Sequence, residues 1–263
     1  MADVSAYAAV LRGQARAQRS YRTNFTIDLV SSGVVGLVEL AEVWILFHNV
    51  TVLGGLTFTQ MILVFGLADL CYSVADLIVG HVDRLPRYIR AGTLDVFYLR
   101  PQPLLAQLIF SDISLRRITR LGVGLAAAVY GLHANPIHWS MASVTLLVVT
   151  LLSGIAITSA LFVLAAGCQF WLVDGAELTN SFVYGGRYAS TQPATVWPIG
   201  IKVVFGVIFP VAFVSFVPAM TLLGRPVINS WVGWCAPLAA LWIWALAMFM
   251  WRAGVRHYQG GGG

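Results

Sequence analysis

Charge is scarce in this sequence. Only 10% of its 263 residues are Asp, Glu, Lys or Arg, where a soluble domain carries roughly a quarter. With 59% hydrophobic residues and a mean hydropathy of +0.80, there is too little polar surface to solvate a globule, and a bilayer is the solvent that fits. Lysine occurs once, at Lys202. A phosphate-cradling loop needs glycine-rich backbone and a lysine, but Lys202 follows Trp197-Pro198-Ile199-Gly200-Ile201 and opens an apolar run. No nucleotide site, and so no ATPase activity, is expected of the chain itself. The three cysteines, Cys71, Cys168 and Cys235, are odd in number and fit neither a disulfide nor a zinc framework. They read as small buried hydrophobes. His48, His133 and His138 match no metal spacing, and no serine sits in a nucleophile motif. The net charge of +5 resides between apolar runs, not on a basic patch with interleaved aromatics, which argues against nucleic acid.

What is present in quantity is long apolar stretches. About 20 apolar residues cross a ~30 Å hydrocarbon core, and six stretches qualify: Ile27–Phe47, Leu56–Val79, Leu115–Ala134, Met141–Ala165, Ile199–Leu223 and Trp231–Trp251. The fold expected is an all-α integral membrane protein of six transmembrane helices. Arg116, Arg117 and Arg120 fall in the first turns of the third stretch, from where they can snorkel to headgroups.

Orientation follows from the basic residues. With the N-terminus inside, the segments near 48–55, 135–140 and 224–230 lie outside and contain only Arg225. The 80–114 and 166–198 loops and both termini then lie in the cytoplasm. Trp44, Trp139, Trp231 and Trp234 fall near the outer interface, and Trp171, Trp197 and Trp251 near the inner one. Pro210 and Pro218 in the fifth stretch and Pro237 in the sixth are expected to kink or break their helices.

The polar first 22 residues, with Arg12, Arg16, Arg19 and Arg22, suggest no cleavable signal peptide. They read as an amphipathic helix on the inner leaflet, where arginines meet anionic lipid. The chain thus divides into a cytoplasmic N-terminal segment (1–24), a membrane domain (25–254) and a tail (255–263). The fifteen arginines to one lysine fit a GC-rich bacterial genome, hence a bacterial inner-membrane location.

Acidic residues inside spans are costly and face the bundle interior or water. In the second stretch Gly66, Asp69, Ser73, Asp76 and Gly80 recur at intervals of three and four, a small and polar stripe on an apolar helix. Asp28, Ser32, Glu39 and Glu42 do the same in the first. Two readings stay open: a pathway for a cationic amphiphile or a proton, or pairing with arginines at inner helix ends, for example Asp76 with Arg116 or Arg120. Asp69 and Glu39 lie nearest mid-membrane with no evident basic partner, so they are the better candidates for substrate contact.

Residues 81–103, His-Val-Asp-Arg-Leu-Pro-Arg-Tyr-Ile-Arg-Ala-Gly-Thr-Leu-Asp-Val-Phe-Tyr-Leu-Arg-Pro-Gln-Pro, mix charge and aromatics as no generic loop requires. Leu85, Tyr88 and Ile89 can form an apolar helix face while Arg84, Arg87 and Arg90 offer charge, the pattern of a short helix that docks in a protein groove. Here the sequence resembles the permease subunits of bacterial type-2 ABC exporters. The matching residues are Gly92, Leu94, Asp95, Leu99, Arg100, Pro101 and Pro103. Further matches are Trp197-Pro198 through Phe209-Pro210, Phe216-Val217-Pro218-Ala219 and Leu222-Leu223-Gly224, and the tail Trp251-Arg252-x-Gly254-x-Arg256-x-Tyr258-Gln259. The resemblance implies a six-helix permease with a cytoplasmic coupling helix between spans two and three. It implies two ABC ATPase subunits that carry the ATP and Mg, and a second permease copy or paralogue. It makes Arg84, Arg87, Tyr88, Arg90, Asp95 and Arg100 the candidate ATPase contacts. The cargo expected is a hydrophobic or amphipathic molecule, cationic if Glu39, Glu42, Asp69 and Asp76 contact it. The alternative is a self-sufficient proton-coupled transporter with those four acids as relay, although no inverted repeat is evident.

Overall fold

The computed structural model describes residues 22–111, 118–172 and 176–258. The N-terminal amphipathic helix, Arg116, Arg117 and the glycine tail lie outside these. Among the described residues the chain is helical and forms no strand, with one isolated bridge between Leu53 and Leu56. Four helical segments are long and apolar enough to cross a membrane, five if one bent pair counts as a span.

Helix α1 (Arg22–Asn49) and α2 (Phe58–Val79) are joined by a tight turn over 50–57, where Gly54 and Gly55 take positive φ. Gln60 Oε1 accepts from the Thr57 N–H at 3.1 Å and so closes the start of α2. A 3-10 turn (Gly80–Arg84) then leads into three short helices, α3 (Leu85–Arg90), α4 (Leu94–Tyr98) and α5 (Leu104–Ser111). Two more long elements follow, α6 (Ile118–Ala134) and α7 (Met141–Cys168), the latter capped by reciprocal bonds between Ser140 and Ser143. The 50–57 turn marks one end of the bundle, the turn end. Residues 80–103 mark the other, the loop end.

Glycine decides which helices touch. In lipid there is no hydrophobic gain from bringing two apolar helices together, so close backbone packing has to supply the attraction. A Cβ on Gly66 of α2 would lie 2.2 Å from the Ala128 nitrogen, and one on Gly131 of α6 would lie 2.5 Å from Leu63 Cα. These two helices therefore pack backbone to backbone, and α2 becomes the buried axis of the molecule. The last helix, α11 (Ala236–His257), rests on α7 in the same manner, with Gly167 against the Trp251 backbone and Gly254 against the Gly167 carbonyl. By contrast α1 meets α6 along one line, through Gly33 and Gly36, and leaves Val34, Leu37, Val38 and Ile45 exposed.

The region between α7 and α11 differs from the sequence expectation. Residues 176–190 form helix α8 (Ala176–Ser190), not a loop. The apolar stretch expected to cross as one span is a hairpin: α9 (Ile199–Val203) runs into a π-helical turn (Val204–Ile208), the chain breaks, and a 3-10 turn (Val211–Phe213) leads to α10 (Phe216–Leu222). The two arms are bent by 68°. Pro210 forces the break, because it has no N–H to continue the helix.

Both ends of the hairpin meet the same turn. The Thr195 hydroxyl donates to the Gly54 carbonyl at 2.6 Å, and Arg225 Nη1 donates to the Gly55 carbonyl at 3.3 Å. Its tip is sunk in the bundle, where Ser215 Oγ donates to the Ser190 carbonyl at 2.7 Å and the Val214 carbonyl lies against Gly154 of α7. The segment returns to the end where it began. Trp171, stacked on His257, instead lies at the loop end and Thr195 at the turn end, with α8 between them in sequence. Residues 191–198, with Trp197, thus lie opposite to where the basic-residue pattern put them.

Pro237 is also corrected. It stands in the first turn of α11, after a 3-10 turn over Ser230–Cys235, and starts that helix without kinking it.

Candidate functional site

Four helices bring one charged side chain each to a single point inside the bundle. Glu39 comes from α1, Asp69 from α2, Arg120 from the first turn of α6 and Arg187 from the last turn of α8. Arg187 grips Glu39 with both terminal nitrogens, Nη1 at 2.9 Å from Oε1 and Nη2 on Oε2. The same Nη2 reaches Asp69 Oδ1 at 2.8 Å. Arg120 bridges the acids from the other side, with Nη2 at 2.5 Å from Glu39 and Nε at 3.3 Å from Asp69. Tyr72, one turn along α2, offers its ring to both cations, at 4.7 Å from the Arg187 guanidinium and 5.5 Å from that of Arg120.

Two acids and two arginines sum to zero charge. That is the condition under which ionised groups persist in a low-dielectric interior. The Asp69 side chain is 0% exposed and that of Arg187 10%. Asp69 Oδ2 and Arg187 Nε have no hydrogen-bond partner among the described residues.

This geometry overturns part of the sequence expectation. Glu39 and Asp69 do have basic partners, and Arg120 pairs with them and not with Asp76. The four acids read as one group separate. Glu42 points to the exposed side of α1, and Asp76 is half-buried two turns past Asp69. The side chain of Asp28 lies outside those described. Arg187 was missed because it was assigned to a cytoplasmic loop. The signal available was charge balance, since two mid-span acids require two cations.

A second constellation occupies the loop end. The 80–103 segment is folded, with its apolar side turned into the protein: Val82, Leu85 and Leu94 are fully buried. Pro86 lies in the first turn of α3, and Gly92, at φ +65°, reverses the chain between α3 and α4. Of the six residues proposed as contacts, Arg87, Arg90 and Arg100 are exposed and Arg84 is half-buried. Arg100 lies over the Phe97 ring at 5.8 Å. Tyr88 turns inward: its hydroxyl pairs with His81 Nε2 at 2.8 Å, and its ring meets the edge of Phe97 at 5.3 Å. Asp95 is engaged within the chain, accepting from the Tyr258 hydroxyl at 3.0 Å. Burial first, and then the adjacent Asp95 carboxylate, push the Tyr258 phenol up to about 12.

The profile of the ABC-2 family transporter proteins matches residues 34–262, nearly the whole membrane domain and the tail. The chain is a member of the ABC-2 transporter family. It is a multi-pass membrane permease, and both constellations fall inside the matched region. No curated protein and no solved structure matches it.

Proposed function

We propose that this permease forms the membrane pathway of an ATP-driven exporter for hydrophobic or amphipathic molecules. The observation that carries the reading is the family match together with the folded 80–103 segment, whose apolar side is satisfied internally and whose Arg87, Arg90 and Arg100 face out. Such a surface fits a groove with acidic rims on a cytoplasmic ATPase. ATP and Mg belong to that partner, and a pair of ATPases would serve a pair of permeases. The exposed apolar face of α1, with Glu42 on it, suits contact with the second permease better than contact with lipid, where a carboxylate is costly. In this arrangement six spans leave both termini and the 80–103 segment in the cytoplasm of a bacterial inner membrane, an orientation that the cluster of Arg84, Arg87, Arg90 and Arg100 supports.

The cargo reading rests on apolar surface. A groove of about 450 Å³ between α1 and α6 is lined by Leu37, Leu40, Trp44, Phe58, Ile62 and Tyr130. A second, of about 430 Å³, lies between the hairpin and Ile228, with Lys202 at its edge. Preference for cations no longer follows from Glu39 and Asp69, because both are neutralised by arginine. The same pairing breaks up the four-acid relay on which the proton-coupled alternative depended.

The test is co-purification with the ABC ATPase encoded beside the permease gene. The wild-type chain is expected to retain it, and the double charge reversal Arg87→Glu/Arg90→Glu to release it. Equal retention by both would refute the docking surface.

A further inference from the structure

Two of the stretches that carry the family resemblance, the Gly92-to-Pro103 run and the C-terminal tail, meet in the structure. Asp95 Oδ1 accepts from the Tyr258 hydroxyl at 3.0 Å, and Tyr98 stacks on the Tyr258 ring at 5.9 Å with planes 5° apart. Phe170, just past the end of α7, also contacts Tyr258 at 6.1 Å and meets Trp251 at 5.5 Å. The Tyr258 N–H still donates to the Gly254 carbonyl at 3.1 Å, so Tyr258 is held to α11 while its side chain holds α4. Neighbouring residues of α4 face opposite ways: Phe97 packs on Tyr88 of α3, and Tyr98 on Tyr258.

The far end of α11 grips the hairpin. Trp242 Nε1 donates to the Ile208 carbonyl at 3.2 Å, just before the break at Pro210. A Cβ on Gly233, in the turn that opens α11, would lie 2.3 Å from the Thr221 hydroxyl of α10. One helix therefore touches the 80–103 segment beside its last residues and the hairpin nearer its start.

We infer that Tyr258 and Asp95 form a latch that makes α11 a lever, carrying displacement of the 80–103 segment to the hairpin at the opposite end of the bundle. The inference rests on the ATPase-docking reading above and assigns Asp95 to positioning within the chain, not to the ATPase contact. A displacement of α3 passes through the Tyr88–Phe97 edge contact to α4. From α4 it passes through the Tyr98 stack and the Asp95 bond to α11, and from α11 through Trp242 to Ile208. Rigid helices transmit such shifts because close-packed seams shift between discrete arrangements and do not compress. The Gly167–Gly254 contact with α7 supplies the pivot.

The experiment places an environment-sensitive fluorophore on the exposed hairpin position Val207, as Val207→Cys with Cys168 and Cys235 changed to alanine. The permease is studied in complex with its ATPase, with and without ATP. In the otherwise wild-type complex, ATP is expected to change the fluorescence. Tyr258→Phe keeps the ring and loses the donor; Asp95→Leu keeps the bulk and loses the acceptor. Each is expected to reduce the ATP-dependent change about fivefold, the shift one ordinary hydrogen bond supports. ATPase binding should be unaltered, and the double variant should be no worse than either single one. A full-sized response in both single variants would overturn the latch. Failure of the wild-type chain to retain the ATPase would instead sink the docking reading, and the latch with it.

Discussion

The charged quartet in the bundle and the aromatic cluster at the loop end use the same side chains, acid, arginine and tyrosine, to opposite ends. Around Asp69 the groups are buried, and every charge is matched by another from a different helix. Around Asp95 they are half-exposed, and a phenol donates where an arginine would otherwise be needed. Burial sets the difference. In the interior an unmatched charge is intolerable, so the quartet fixes four helices together. At the boundary water is near, and a hydrogen bond from a neutral phenol, with a ring stack, ties two elements without locking them.

That contrast ranks the expected effects. Arg187→Ala leaves two buried carboxylates sharing one cation and should destabilise the fold by about 3–5 kcal/mol, the cost of orphaning a buried ion pair. Thermal unfolding in detergent should show it as a large drop in Tm, and a drop no greater than that of a surface substitution would disprove the quartet. Asp69→Asn in the Arg187→Ala background should restore part of the loss, since one uncompensated charge goes with each change. Strictly additive losses would mean that the two residues are not coupled.

Next in size is Gly131→Ala, which drives a methyl group into the Leu63 backbone of α2. Overpacking of this kind costs about 1–3 kcal/mol, and the same unfolding assay should detect it. Gly122→Ala, with nothing near its Cβ, should be silent or slightly stabilising.

At the loop end the stability effects are small. Arg87→Glu/Arg90→Glu should leave Tm unchanged while abolishing ATPase retention, the reverse of the Arg187→Ala pattern. The smallest effect is that of pH on the latch. The Tyr258 pKa is raised in the folded chain to about 12, from an ordinary value near 10. Its stabilising contribution is therefore complete below about pH 10 and is lost only as pH rises through about 12. Ultraviolet titration of wild type against Tyr258→Phe should show one tyrosine ionising late.

Much of the fold is legible in the sequence because hydropathy reports burial in lipid directly. The expected spans Met141–Ala165 and Leu56–Val79 differ from the observed Met141–Cys168 and Phe58–Val79 by three residues or fewer. Hydropathy has no direction, however. The run from Ile199 to Leu223 is as apolar as a span, and only the contacts of Thr195 and Arg225 with the same turn show that it doubles back. Once that segment is a hairpin, the preceding residues have to make the passage, which carries Arg187 from an assumed loop to the centre of the bundle.

The candidate site was half visible for a related reason. Helical spacing singled out Asp69 and Glu39, but periodicity on one helix says nothing of which cation arrives from another. Among fifteen arginines the two that pair with Asp69 lie 51 and 118 residues away from it. At the loop end, sequence marked Asp95 and the tail separately. Their meeting at Tyr258 is a tertiary fact.

The most direct test is sidedness, read by labelling single cysteines at Arg87, Val196 and Ile228 with a membrane-impermeant thiol reagent in inside-out and right-side-out vesicles. The account predicts that position 87 reacts only from the cytoplasmic face, and that positions 196 and 228 both react only from the other. Labelling of position 87 from the outer face would contradict the route by which energy enters; labelling of position 196 together with 87 would contradict the hairpin.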